Sequence, residues 1–511
     1  MNQLQFPLIS IILWLPALGA LLLFAIPRAN EAAQRAVALG AALITFAASV
    51  MLPVAFNFTT PGFQFVDSLA WVAVWGLGYL VSVDGISIWL VLLTTLLTPI
   101  ALMATWNTTF KDLRTYLMLM LLLETSLIGV FVAQDMLLFF IFFEFTLIPT
   151  ALLIGMWGGE KRQKAATKFF VYNFSGSIFM LLSIIGVYSS HGQQTGNYTF
   201  DIATITSNVQ TQAFQLTDGM GWLLFGGFFI AFAIKAPLWP FHTWLPEAHT
   251  EASSDGSVDV LGLLVKIGAY GFIRFNLPLF PDIALWATPA IAVLAIISIL
   301  YGAAIAFVQT DMKRLLAYSS VSHVGFIILG IFALNQAGIS GAILQIVNQG
   351  LVSGGLFLIV GMIYARSQTR DITKVSGLWK AMPIYGSLAL ALVLASIGVP
   401  GLNGFIGEFV IMQGAWLSPD LGWGFVIPTI IGIILAAAYM LRMFRFAFMG
   451  DVVHPIGVEL QDIGAREIAL LVIIFVCALG IGMYPNLLFS HMQGSVEQIV
   501  QGIGVMRTAM N

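Results

Sequence analysis

The sequence predicts an all-α protein that crosses a membrane many times. Of its 511 residues, 59% are hydrophobic and only 9% are charged, and the mean hydropathy is +0.95. Soluble domains carry about 25% charged residues. The net charge of −3 gives no sign of a nucleic-acid partner. We therefore expect the lipid bilayer to be the main surroundings of the chain.

Apolar runs of about 20 residues, the length of one transmembrane helix, recur along the whole chain. We count fourteen, and an even number places both termini on the same side of the membrane. The predicted spans cover residues 7–26, 32–56, 82–106, 114–132, 135–157, 164–190, 219–248, 257–276, 284–308, 315–334, 341–366, 382–417, 424–448 and 465–489. Two segments between spans, 59–81 and 191–218, are expected to form outer elements, the second of them as a short hairpin or irregular cap.

The basic residues predict the orientation of these spans. Most of the 21 Lys and Arg residues fall in the loops after spans 1, 3, 5, 9, 11 and 13, whereas the opposite side holds only Arg274 and Arg507. Loops rich in Lys and Arg stay in the cytoplasm. We therefore expect both termini on the outer, periplasmic or lumenal, face.

Several kinds of site are not expected in this chain. Its one cysteine, Cys477, lies in an apolar run, which excludes an internal disulfide and cysteine-ligated iron–sulfur clusters. No glycine-rich loop follows a strand to bind a dinucleotide. No nucleophile stands beside a base. The sequence therefore predicts a conduit without its own redox or hydrolytic centre, and without a metal or cofactor.

The stretch 228–251, FFIAFAIKAPLWPFHTWLPEAHTE, is the most unusual part of the chain. An apolar run meets Lys235 and then Pro237 and Pro240, which cannot continue a helical hydrogen-bond ladder. Freed backbone groups at membrane depth are tolerated only where they face protein or a water-filled cavity. Span 7 is therefore predicted to be a broken helix with a buried cation at the break.

A second interruption lies in span 12, at Ser396–Gly404, shortly before Glu408. Each break occupies the fourth place in a unit of five spans, 4–8 and 9–13. An odd number of spans makes the two units inverted repeats, and paired broken helices point to an ion path at the midplane. The predicted divisions are 1–111 (spans 1–3), 112–280 (first repeat), 281–450 (second repeat) and 451–511 (span 14 and tail).

Five charged residues inside the spans are the main candidates for function. A charge in hydrocarbon costs at least about 2.5–3.5 kcal/mol, so each must pair, hydrate or titrate. Four of them, Glu144, Lys235, Lys266 and Glu408, are predicted to form a proton relay. A Glu144–Lys235 pair of variable separation would switch the proton affinity of the lysine. The alternatives are a static ion pair, and for Glu408 a cap on the resumed half-helix.

Other polar residues are weaker candidates. Glu124 is either a relay member or a packing partner, and His242 and His323 have the chemistry for a relay but are equally typical of satisfied core histidines. No regular spacing of histidines indicates a metal site. The loop after span 7 lacks Lys and Arg, so its acids and histidine are predicted to form a cytoplasmic mouth for protons. These mouth residues are Glu247, His249 and Glu251.

Specific motifs along the chain resemble one known family. These motifs are VDGISIWLVLLTT (83–95), LIGVFVAQDMLLFFIFFEFTLIPTALLIGMWGG (127–159), AFAIKAPLWPFHTWLPEAHTEAS (231–253), GLLVKIGAYGFIRF (262–275), DMKRLLAYSSVSHVGFIILG (311–330) and GVPGLNGFIGEF (398–409). The chain resembles the antiporter-like subunits of respiratory complex I, the proton-translocating NADH:quinone oxidoreductase. The similarity is strongest to the chain M, or chain 4, type and extends from about Trp14 to the last span.

The resemblance implies roles for the candidate residues. Glu144 and Lys235 match the family's Glu/Lys pair, Lys266 its central relay lysine and Glu408 its terminal acid. His242 and His323 match polar members of the central axis. One position departs from the family: Gln349 stands where a histidine is common, so this step would be a hydrogen-bonded water and not a titrating group. A second departure is the run 253–258, which reads Ser-Ser-Asp-Gly-Ser-Val in place of the family's Pro-Thr-Ala-Gly-Ser-Val.

The resemblance also implies a function and partners. The chain is expected to translocate protons in a bacterial inner membrane, as a subunit of an enzyme whose partner subunits carry FMN, iron–sulfur clusters and quinone. Its neighbours would be other membrane-arm subunits, including antiporter-like ones. Two alternatives remain: a subunit of a multisubunit monovalent cation/proton antiporter or membrane-bound hydrogenase, and a purely structural subunit. The five intramembrane charges argue against the structural role.

Overall fold

The structure is a computed structural model, and it describes residues 6–60, 62–216, 218–253, 255–260, 263–453 and 460–510. The two chain ends lie outside the described residues, and the predicted orientation concerns these ends. Ser254, in the unusual run 253–258, also lies outside them. Within them the chain is a helical bundle with one small hairpin, so the predicted all-α class is confirmed.

The described residues of the first half of the chain contain ten α-helices and the hairpin. The helices are α1 (Leu8–Ala25), α2 (Glu31–Ala55), α3 (Ser87–Ala104), α4 (Leu113–Val132), α5 (Met136–Phe145), α6 (Leu147–Trp157), α7 (Arg162–Thr195), α8 (Ile202–Gln210), α9 (Asp218–Lys235) and α10 (Trp244–Glu251). The hairpin strands are β1 (Gln64–Val72) and β2 (Leu77–Val83), paired antiparallel.

The second half is helical throughout its described elements. The helices are α11 (Ser257–Val260), α12 (Leu263–Gly271), α13 (Leu277–Leu279), α14 (Pro281–Val308), α15 (Met312–Ile331), α16 (Gln336–Ser367), α17 (Leu378–Ala381), α18 (Pro383–Ser396), α19 (Asn403–Leu417), α20 (Trp423–Phe448), α21 (Ala465–Met483) and α22 (Asn486–Met510). A π-helical segment, Phe272–Asn276, joins α12 to α13.

Eleven stretches of the described chain are long and apolar enough to cross a membrane. They correspond to eleven of the fourteen predicted spans, and α5 and α6 together form one of them. The other three predictions, spans 7, 8 and 12, are divided in the structure into shorter helices, so the count of fourteen stays a prediction. The interruption of spans 7 and 12 was expected. Span 8 was expected to be continuous, but it contains the π-helical segment and short helices on either side.

One local prediction needs correction, and two other segments have structure that was not predicted. The outer segment 59–81 contains β1 and most of β2, with the rings of Trp71 and Trp75 exposed. The segment 191–218 was expected to be a hairpin or irregular, but it contains α8, because Asp201 caps that helix by accepting a hydrogen bond from Ala203 N at 3.0 Å. The predicted tail forms α22, whose apolar residues recur every three to four positions and face the bundle.

Acidic and amide side chains cap several of the long helices. Asp135 accepts hydrogen bonds from the first backbone amides of α5, Asp311 from that of Arg314 in α15, and Asn335 from that of Gly338 in α16. These caps satisfy amides that have no partner within the helix. They fix where α15 and α16 begin, and these two helices carry much of the candidate site.

The second broken helix packs against α16 through glycines. A Cβ atom on Gly414 would lie 2.3 Å from Gly338 Cα, and one on Gly407 would lie 2.2 Å from the Gln345 side chain. Small residues allow helix backbones to approach closely in membranes. The close crossing of α16 and α19 brings the residues after the second break against the middle of α16.

Candidate functional site

The first break separates α9 from α10 and places Lys235 inside the bundle. Lys235 is 1% exposed, and its Nζ donates a hydrogen bond to Thr146 Oγ1 at 3.0 Å and lies 4.9 Å from the ring of Phe143. The backbone carbonyl of Ile234, near the end of α9, accepts a hydrogen bond from the Trp244 indole at 2.9 Å. Specific hydrogen bonds therefore stabilise the break, and a buried cation lies at its edge.

Glu144 lies near Lys235 but does not pair with it. Among the described residues Lys235 bonds to Thr146, and no ion pair joins it to Glu144. Glu144 is half-buried at the join between α5 and α6, beside the exposed side chains of Ile141 and Phe145. Pro149 helps to explain that join, because it lacks the amide that would bond to the carbonyl four residues earlier.

Lys266 lies on α12 and is 3% exposed. It borders a void of about 10 Å³, close to the room that one water molecule needs. Most of the side chains around the void are polar. The lining consists of His249, Lys266, Ser320, Val324, Gln349, Ser353 and Phe357. The structure thus places Gln349 on the same void as Lys266, where its amide can hold a water.

The second break positions Glu408 at the start of α19. His323 Nδ1 lies 3.1 Å from Glu408 Oε1, and Gln345 Nε2 donates to the same oxygen at 3.3 Å. Asn348 in turn donates to Gln345 Oε1 at 3.1 Å and to the carbonyl of Asn403 at 2.7 Å. His323 and Glu408 are therefore brought together, whereas Gln345 and Asn348 were missed because nothing in the sequence shows which face of α16 meets α19.

The two remaining core candidates have no such network. Both carboxylate oxygens of Glu124, a fully buried residue of α4, lack a hydrogen-bond partner within the described part of the chain. The same holds for Nδ1 of His242, whose ring lies against Tyr301 at 5.1 Å. Unsatisfied buried polar groups are rare and call for an explanation, such as a bound water or a proton-transfer role.

The three residues of the predicted mouth adopt different roles. Glu247 forms an ion pair with Lys168 at 2.7 Å, and Glu251 accepts a hydrogen bond from the backbone amide of Lys161 at 2.8 Å. Both acids therefore tie α10 to the start of α7. His249 alone of the three borders the void at Lys266.

Two buried ion pairs were missed by the sequence analysis. Asp259 lies in the first turn of predicted span 8 and pairs with Lys313, which had been assigned to a loop. Asp84, at the end of β2, pairs with Arg274 in the π-helical segment. The signal was present in both cases, because each acid falls inside a predicted span, but the partner comes from a distant part of the chain.

No group of three or more His, Cys, Asp or Glu side chains that can hold a metal ion occurs among the described residues. The buried candidates Lys235, Lys266 and Glu408 have separate polar surroundings in the part of the chain that the structure describes.

Comparison with known proteins identifies the family. The profile described as NADH:quinone oxidoreductase/Mrp antiporter matches residues 133–447, and the profile of the amino terminus of NADH-ubiquinone oxidoreductase chain 4 matches residues 37–130. NADH-quinone oxidoreductase subunit M of Rhodobacter capsulatus is 41% identical over 505 residues, which are 97% of this chain and 96% of that protein. The chain belongs to the subunit M, or chain 4, family of NADH-quinone oxidoreductases.

Solved structures agree with this membership. A chain of respiratory complex I from Thermus thermophilus matches with a TM-score of 0.86 and 31% identity, covering 97% of this chain and 99% of that one. A chain of the Mrp complex from a Dietzia species matches with a TM-score of 0.80 over 98% of this chain and 55% of that one. At 19% identity the second match shows the fold alone. The predicted family resemblance and the multi-span membrane fold of a subunit M family member are therefore confirmed.

Proposed function

We propose that this chain translocates protons as a membrane-arm subunit of an NADH:quinone oxidoreductase. The observation that carries the proposal is the occurrence of a buried ionisable residue at each of two broken helices, Lys235 and Glu408, in a member of this family. Charged residues at such depth mark ion pathways by default. The relay would run through Glu144, Lys235, Lys266 and Glu408.

The position of Lys235 supports a switch at the Glu144 end of this relay. With its ammonium on Thr146, Lys235 has no carboxylate partner within the described part of the chain, which is the open arrangement of the pair. Rotation toward Glu144 would close the pair and favour the protonated lysine. A change in separation can thus move one proton without any large movement of the helices.

The remaining candidates extend the relay. His323 bonds to Glu408 and completes the terminal site, while Gln349 would hold a water between Lys266 and its neighbours. Glu124 and His242 would join through waters on their unsatisfied atoms. His249, flanked by Glu247 and Glu251, would be the mouth on the cytoplasmic side.

The proposal includes a place in the cell and in a complex. The chain would lie in a bacterial inner membrane with both termini in the periplasm, beside other membrane-arm subunits, antiporter-like ones among them. Partner subunits would hold FMN, the iron–sulfur clusters and quinone. The four predicted divisions, with inverted repeats at 112–280 and 281–450, belong to the same proposal.

A multisubunit cation/proton antiporter is the second candidate, since the Mrp complex shares the fold. Purification of the native complex separates the two functions. Flavin and iron–sulfur absorbance that co-purifies with this chain, together with NADH:quinone reductase activity, is the result that we expect. A complex without either absorbance, able to exchange cations for protons, would contradict the proposal and support the antiporter.

A further inference from the structure

Three ionisable side chains near Lys266, the buried Asp259 and Lys313 and the partly buried His249, form what we term the Asp259 cluster. His249 Nδ1 lies 2.7 Å from Asp259 Oδ1, and Lys313 Nζ lies 2.6 Å from Asp259 Oδ2. Asp259 is 2% exposed and Lys313 is 0% exposed. The carboxylate therefore bridges a fixed cation and an imidazole, with one oxygen for each.

Hydrogen bonds to all of its donors hold Lys313 in a fixed position. An ammonium group has three donors, and those of Lys313 have three acceptors: Asp259, the carbonyl of Ser253 at 2.7 Å and that of Ala252 at 3.3 Å. This cation keeps the carboxylate of Asp259 ionised. An ionised carboxylate only accepts hydrogen bonds, so the proton between the two groups belongs to His249 Nδ1.

The surroundings of the ring show what its other nitrogen can do. His249 borders both the void of about 10 Å³ that it shares with Lys266 and a second void of about 30 Å³ on the side of Asp259. Asp259 borders only the second void. The ring is also stacked on Phe357, with ring centroids 4.9 Å apart. Because Nδ1 is engaged, Nε2 is the nitrogen left for a water in the void at Lys266.

We propose that Asp259 is a positioning residue for proton uptake, acting through the tautomer and orientation of His249. This inference rests on the proposed proton-translocating function. The carboxylate keeps the proton on Nδ1, so that Nε2 takes up a proton from the cytoplasmic side. The resulting imidazolium is balanced by Asp259. Nε2 then gives that proton to the void water, which passes one to Lys266 once the amine of that lysine has lost its own proton to the relay, and His249 returns to its starting form.

The test measures proton uptake by membrane vesicles that contain the assembled complex, driven by NADH and normalised to the amount of complex. Asp259→Asn is expected to slow pumping about tenfold. Losses of this size are typical when a carboxylate that orients a functional histidine is removed. Asp259→Glu should restore most of the rate, because the adjacent void leaves room for one more methylene. A purely packing role for Asp259 would not be rescued by the larger side chain.

A double-mutant cycle shows whether Asp259 acts through His249. Pumping by Asp259→Asn/His249→Gln should equal that of His249→Gln alone, since the carboxylate has no ring left to orient. The matched control is Asp255→Asn, four residues away. Among the described residues, its carboxylate accepts hydrogen bonds from Ser253 and Ser257. This control is expected to pump like the wild type.

Loss of Asp259 leaves Lys313 buried without its anion, so Asp259→Asn can block assembly. Asp259→Asn/Lys313→Met removes both charges and is expected to assemble and still pump about tenfold more slowly. Wild-type pumping by either variant, alongside a defective Lys266→Ala, would overturn this inference and leave the proposed function standing. Wild-type pumping by Lys266→Ala as well would overturn both.

Discussion

At the scale of single residues, the partner of Lys235 is the most informative detail. A buried ammonium group needs an acceptor, and in this structure the acceptor is a threonine hydroxyl, although Glu144 is close by. A neutral acceptor holds a cation more weakly than a carboxylate does. Exchange of this threonine for Glu144 as the partner of Lys235 is what the proposed relay requires.

Thr146→Val tests whether Lys235 exchanges Thr146 for Glu144. The substitution keeps the shape of the side chain and removes the only hydrogen-bond acceptor seen for Lys235 in the described residues. Leaving a buried donor unsatisfied costs about 1–3 kcal/mol. We expect Lys235 to shift toward Glu144 and proton pumping to slow about tenfold, in line with a cost of that size. Thr146→Ser retains the hydroxyl and should pump normally. Equal rates for the two variants would show that Thr146 has no such role.

The terminal site allows a second prediction at this scale. Glu408 takes hydrogen bonds from His323 and Gln345 on one oxygen, and Gln345 is itself held by Asn348. Glu408→Gln keeps the shape but removes the titrating group, so pumping should fall by at least about 100-fold. Gln345→Ala should cause a smaller loss, since it only loosens the carboxylate. Proton uptake in vesicles measures both, and a larger effect of Gln345→Ala would contradict this order.

At the scale of helices, the crossing of α16 and α19 holds the second break in place. Backbone contact through Gly338 and Gly414 leaves no space for a methyl group. Added volume in a packed interior costs about 1–3 kcal/mol. The position of Glu408 therefore depends on glycines well away from it.

Gly414→Ala is expected to destabilise the subunit by roughly that 1–3 kcal/mol and to lower the temperature at which the purified complex dissociates. The matched control is Gly424→Ala in α20, where a Cβ atom meets no other atom within 4 Å. The control should dissociate at the wild-type temperature. A wild-type temperature for Gly414→Ala would show that the crossing is looser than the structure indicates.

Some of these elements could be predicted from the sequence and others could not. The eleven continuous spans and the two breaks were predictable, because bilayer thickness and proline chemistry act on local sequence. The hairpin and α22 were missed although both form between or within neighbouring residues of the chain. The pairing of Asp259 with Lys313 was not predictable, because it depends on a contact between distant segments. Gln345 was missed for the same reason: periodicity gives a helix but does not show which neighbour each face meets.

At the scale of the whole molecule, the buried pair of Asp84 and Arg274 joins three distant parts of the chain. Asp84 follows the hairpin, Arg274 lies in the π-helical segment, and Ser495 of α22 accepts a hydrogen bond from the neighbouring Gly85 amide at 3.2 Å. Arg274 also donates to the Tyr270 hydroxyl at 2.9 Å. This cluster lies beside a cavity of about 540 Å³ between α8 and α22.

Asp84→Asn should be strongly destabilising, since breaking one side of a buried ion pair typically costs about 3–5 kcal/mol. The measurement is the yield and thermal stability of the assembled complex. Asp282→Asn, which neutralises an exposed acid in the first turn of α14, serves as the control and should behave like the wild type. Normal stability of Asp84→Asn would mean that the pair does not hold these segments together.

The molecule as a whole is best described as a helical scaffold around a series of buried ionisable sites. The two broken helices place Lys235 and Glu408 in the interior, and α12 places Lys266 beside a water-sized void. Such sites are costly to bury, and proton transfer gives a reason to keep them.

The most direct test is proton pumping by the Lys235→Ala variant in vesicles that contain the assembled complex, with NADH as electron donor. Lys111→Ala, at an exposed lysine outside the described helices, is the matched control. Loss of pumping and of coupled quinone reduction in the Lys235 variant alone, with both variants fully assembled, is the predicted result. Full pumping by the Lys235 variant with intact assembly would contradict the account.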